Sequence, residues 1–71
     1  MPQFINISDT VQLSPTYEST VVRYQPHIAF VDSLALSGTL LTPLLSGPSV
    51  VEVLNDSTDE LIDMILFVVE E

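Results

Sequence analysis

The chain has 71 residues, with one arginine (Arg23), one histidine (His27), no lysine, no cysteine and no tryptophan, set against ten acids for a formal net charge of −9. That inventory excludes disulfides, thiolate metal sites, Schiff-base chemistry and lysine-dependent phosphate cradles. It also leaves one copy too little positive charge to displace counterions from a nucleic-acid backbone or to hold an anionic membrane.

Residues 1–71 are read as a single domain. A domain of this size buries only about 60% of its unfolded surface, and small folds usually add a disulfide, a metal or association. With no cysteine and a single histidine, association is the staple left. Apolar residues make up 46% of the chain and charged residues 15%, and the mean hydropathy is +0.45. Eight serines and six threonines cover part of what charge does not. Some surface must therefore be apolar, and apolar surface on a small protein marks a contact.

Residues 3–13 (QFINISDTVQL) place Phe4, Ile5 and Ile7, then Val11 and Leu13, around Ser8-Asp9-Thr10. They read as two short strands or as one bent extended arm, with residues 1–14 as the arm. Ser14-Pro15-Thr16 breaks the chain. Residues 19–25 (STVVRYQ) form a β-branched and aromatic strand that Pro26 stops. Residues 28–36 (IAFVDSLAL) alternate large against small, with Ile28, Phe30, Leu34 and Leu36 on one face, and are read as a strand. Ser37-Gly38 predicts a tight turn into Thr39–Thr42, ended by Pro43. Ser46-Gly47-Pro48 predicts another turn, and residues 49–54 (SVVEVL) another strand. Ser57-Thr58-Asp59-Glu60 fits a capping box, with Ser57 as N-cap and Glu60 at N3. It predicts a short helix or helical turn near residues 57–63. From Met64 onward both a continued helix and a strand fit, and the β-branched run favours the strand.

The fold class expected is mainly β: a small sandwich or barrel-like unit of five to seven short strands, with that one helical element. Residues 28–45 hold a single charge, Asp32, over a length at the lower limit of a membrane span. Asp32, Ser37-Gly38 and Pro43 favour a buried hairpin instead.

His27 reads as a turn histidine, with no partner motif around it. The serines lack the G-x-S-x-G pattern, so no catalytic residue is expected and the chain is read as non-enzymatic. Asp56, Asp59, Glu60 and Asp63 form the densest acidic patch. It could supply hard oxygen ligands to Ca²⁺ or Mg²⁺, but it lacks the EF-hand spacing and reads as a solvated face, so no metal or cofactor is assigned. Arg23, beside Tyr24, is placed in a carboxylate pair within the chain or across an interface. Phe4, Ile5, Ile7, Val11 and Leu13 are read as anchors for strand addition to a neighbour, with Arg23 and Tyr24 as further interface residues.

These features point to a structural or interaction subunit of a larger assembly, with a viral capsid decoration, cement or head–tail component as the leading class. The partners expected are proteins, as a homo-oligomer or a coat-type assembly, without direct nucleic acid or a membrane. The location follows as the virion, or else the cytoplasm, since no signal-peptide pattern is visible. The alternative is a small acidic inhibitor or nucleic-acid mimic seated in a basic cleft, and a membrane-associated protein comes third.

Overall fold

The computed structural model describes residues 2–13 and 20–71. Seven strands run through the described residues: β1 (Gln3–Asn6), β2 (Val11–Gln12), β3 (Val22–Pro26), β4 (Leu34–Ser37), β5 (Leu40–Pro43), β6 (Gly47–Asn55) and β7 (Leu61–Glu70). They make a four-stranded sheet in the order β1-β7-β6-β3 and a three-stranded sheet in the order β2-β5-β4. All pairings are antiparallel except β1 with β7. The fold is mainly β, and the described residues form no closed barrel.

The two long strands, β6 and β7, lie at the centre of the larger sheet. Alternation along β6 turns Ser49, Val51 and Val53 to one face, where all three are fully buried. The register pairs Ser49 with Phe67 and Val51 with Ile65. Phe67 and Val51 meet Leu13, Leu34 and Leu41 from the smaller sheet, and Ile5, Val11, Tyr24, Leu36 and Ile65 pack around them. Each large side chain so buried contributes roughly 1.5–3 kcal/mol, and this inter-sheet cluster is the centre of the core among the described residues.

Local chemistry explains the connections. Gly38 (φ +62°) occupies the first position of the two-residue β4–β5 hairpin loop, the glycine-first arrangement of a type II′ turn. The β6–β7 connection is one α-type turn. The Asp59 N–H donates to the Asn55 carbonyl at 2.8 Å, and Asn55 Oδ1 accepts from the Ser57 and Thr58 N–H groups at 2.8 and 3.3 Å. Asp59 ends the turn in the left-handed region (φ +62°), which Asp tolerates better than most residues.

Three expectations shift. The helical element of residues 57–63 shrinks to that turn, capped by Asn55 rather than Ser57. The pairing of β7 with β6 begins at Leu61 and leaves no room for more. Residues 28–36 are not one strand. After Pro26 the His27 Nδ1 accepts from the Ala29 N–H at 3.1 Å and starts a 3-10 turn at Ile28–Phe30. The chain crosses between layers there, which an unbroken extended strand of nine residues cannot do. The break before β6 falls at residues 45–46, so Gly47 and Pro48 begin the strand instead of making the turn. From Met64 onward the chain is strand, and residues 34–43 form the expected hairpin. Ser14-Pro15-Thr16 lies outside the described residues.

The N-terminal segment forms two short strands. β1 pairs with β7, extended by Ile7 N–H to the Glu70 carbonyl at 2.7 Å, and Leu13 N–H donates to the Thr39 carbonyl at 2.7 Å after β2. Residues 3–6 and 11–12 are thus integrated in this chain's own sheets.

Phe67→Ala is expected to destabilise by about 3–5 kcal/mol, enough to unfold most of so small a domain, as read by circular dichroism. Ser49 is the converse case. Its hydroxyl is fully buried with no hydrogen-bond partner. Ser49→Ala is expected to raise stability by about 1 kcal/mol, by removing an unpaired buried group. A lower urea midpoint for that variant would show that the hydroxyl is satisfied in solution.

Candidate functional site: the open face of the four-stranded sheet

The alternation that buries Phe67 sends its neighbours outward. On β7 the outward row is Met64, Leu66, Val68 and Glu70, with Ile62 at the irregularity opposite Val53 and Leu54. On β6 it is Pro48, Val50 and Glu52, paired with Val68, Leu66 and Met64 respectively. β1 adds Phe4 beside Val68, and β3 adds Gln25 beside Glu52. The smaller sheet covers only the other face. Phe4 is therefore 65% exposed, Met64 54%, Ile62 41% and Leu66 40%. The centre of the face is apolar, with Glu70 at one end and Arg23 at the β3 edge, and it is broken by a polar pair: Gln25 Nε2 donates to Glu52 Oε1 at 2.8 Å in a half-buried setting.

The residues singled out from the sequence fall in different places. Leu13 is buried in the inter-sheet core, and Ile5 and Val11 pack against it. They hold this chain together and are not free to anchor a neighbour. Phe4 stands on the open face, and Ile7 is half-buried beyond the end of β1. Tyr24 faces inward against the core, and burial pushes its phenol above the ordinary value.

Arg23 is paired within the chain. Its Nη1 lies 2.8 Å from Asp59 Oδ1 and 3.4 Å from Asp56 Oδ1. The hydrogen bond to Asp59 is the main reason the guanidinium is held more firmly protonated than usual. All three side chains are at least 43% exposed, so the pairing is a solvated clamp on the β6–β7 turn.

The acidic patch does not converge as a unit. Asp56 and Asp59 turn to Arg23. The Glu60 backbone serves the turn, accepting from the Asn55 N–H at 2.8 Å. Asp63 accepts from its neighbour, the Met64 N–H, at 2.8 Å. Among the described residues no three His, Asp or Glu side chains come together in a set that could hold a metal. His27 caps the 3-10 turn and meets Phe30 edge-on at 5.8 Å between ring centroids.

Met64, Leu66, Val68, Pro48 and Val50 were not among the sequence candidates. Their signal was present: MILFVV is a continuous apolar run, the pattern of a strand covered on both faces. No helix among the described residues is long and apolar enough to cross a membrane. Comparison with protein-family models, with curated proteins and with solved structures returned no match.

The inward placement of Tyr24 generates a pH dependence. Its folded pKa is raised, so its contribution is complete below the unfolded value of about 10. Above that pH the unfolded chain releases its proton first and stability falls. Tyr24→Phe is expected to remove this part of the alkaline loss, leaving a flatter profile of urea midpoint against pH from about 9 to 11. Parallel profiles for the two proteins would contradict the inward placement.

Proposed function

We propose that this protein is a non-enzymatic structural subunit of a larger assembly, docked through the open face of its four-stranded sheet. The observation that carries the reading is that β7 is apolar on both sides while the described residues cover only one. Phe67 and Val69 are buried, yet Met64 and Leu66 remain exposed. A contiguous apolar sheet face is costly to leave in water and is the common mark of a contact surface.

Composition supports the finer class. A small, Ser/Thr-rich, sparsely charged chain with no reactive cysteine or lysine fits a coat component better than an enzyme. Within that class a capsid decoration, cement or head–tail subunit is the reading we favour, with the virion as its location. The acidic-mimic alternative draws less support. Two acids of the densest patch are spent on Arg23, and residues 33–51 carry no acid at all.

The test is fractionation of an extract of the source by size, with the chain detected by antibody. The chain is expected in a particle much larger than its own 7.8 kDa. The double substitution Met64→Thr, Leu66→Thr, which keeps strand-forming residues, is expected to release it as a folded free chain. A native chain that runs as a free monomer in the extract sinks the assembly reading.

A further inference from the structure

We infer that the surface which covers the open face belongs to a different, basic protein and places a Lys or Arg against Glu52. This rests on the open face being a contact surface and adds what the contact must contain.

Glu52 lies among apolar side chains, beside Met64 on one strand and Gln25 on the other. Its Oε1 accepts a hydrogen bond from Gln25 Nε2. An ionised carboxylate has about four acceptor positions, so this bond leaves most of its capacity to the covering surface. Covering the face removes water from the carboxylate, and a desolvated charge is stable only when paired.

A second copy of this chain is a poor source of the partner. The chain has no lysine, and its one arginine, Arg23, at the β3 edge of the same face, is already shared between Asp56 and Asp59. Two copies face to face would bury two Glu52 carboxylates, could pair them only by drawing Arg23 away from Asp56 and Asp59, and would bring −9 against −9. An anionic membrane surface is opposed by the same charge. A protein surface with apolar residues to meet Met64, Leu66, Val68 and Phe4, and a cation to meet Glu52, satisfies both demands. Glu70, in the same outward row, extends the demand for positive charge to the end of the face.

The stripe from Ile62 to Val68 is about 20 Å long at strand rise, and a helix of about 14 residues spans the same length. The probes are therefore two synthetic amphipathic helical peptides of that length with identical leucine faces, one flanked by lysines and one by glutamates. Binding to the full chain is measured by calorimetry at fixed ionic strength, alongside light scattering of the chain alone and co-flotation with phosphatidylcholine vesicles. Two single-charge variants separate a local pair from general attraction. Glu52→Gln keeps an acceptor for Gln25 on the face, and Asp32→Asn removes one charge in the turn that enters the smaller sheet.

The lysine peptide is expected to bind and the glutamate peptide not to. Glu52→Gln should weaken binding about tenfold, as expected for a desolvated pair, and Asp32→Asn less than about twofold, as for a solvated charge. Equal losses from the two variants would reduce the effect to net charge and overturn the inference. So would failure of the lysine peptide to bind. A dimer of the chain alone, or flotation with vesicles, that Leu66→Thr abolishes would also overturn it while leaving the face as a contact surface. A lysine peptide that binds Leu66→Thr as well as the native chain would sink both.

Discussion

A β-sheet has two faces, and a chain this short can cover only one of them. That constraint governs the rest of the molecule. β6 and β7 carry apolar residues on both sides, so whichever side the smaller sheet packs on becomes the core and the other becomes an apolar surface. Phe67 decides the choice. It is the largest side chain to be fully buried, and it seats against Leu41 and Val51 at the centre of the only inter-sheet cluster among the described residues. Turning Phe67 outward would exchange it for Leu66, and the register would have to slip by one residue to do so.

The turn between β6 and β7 therefore matters beyond its size. Asn55, through its backbone and its side chain, fixes a connection of one length. The left-handed Asp59 and the Arg23 clamp then hold that turn against the end of β3. With the turn length fixed, the side chains of β7 have only one assignment to the two faces. Asp56 and Asp59 serve the register, a role within a patch that the sequence presents only as a solvated face.

Much of the fold was legible in the sequence. The strand expected over 19–25, which the described residues show at Val22–Pro26, the strand over 49–54 and the Ser37-Gly38 hairpin follow from β-branched content and turn chemistry, with Pro26 as the strand's last residue. The strand expected over 28–36 failed because alternation is blind to layer crossing. His27 and the residues after it satisfy a period of two while the chain bends from one sheet to the other. The capping box near Ser57 failed because its polar residues serve a tight turn as well as a helix start, and the strand pairing that follows settles which. The interface was harder to read. Phe4 was recognised, but Leu13, Ile5 and Val11 look no different in sequence from surface anchors until the second sheet is placed over them. The run MILFVV announces two covered faces, yet no local pattern says how many layers the chain can supply.

The acidity and the open face make sense together. An apolar sheet face on a nearly neutral domain invites its own copies to stack. A strong net charge opposes that stacking, and Glu52 within the face opposes it locally, since each copy would have to desolvate a carboxylate that another copy can pair only by giving up its own Arg23 clamp. The same group is harmless against a surface that brings a cation. One residue thus separates the wrong contact from the right one by unequal electrostatic cost, not by shape, as specificity by exclusion requires. The absence of lysine sharpens this discrimination. A single free lysine on the face would give a second copy the partner it lacks.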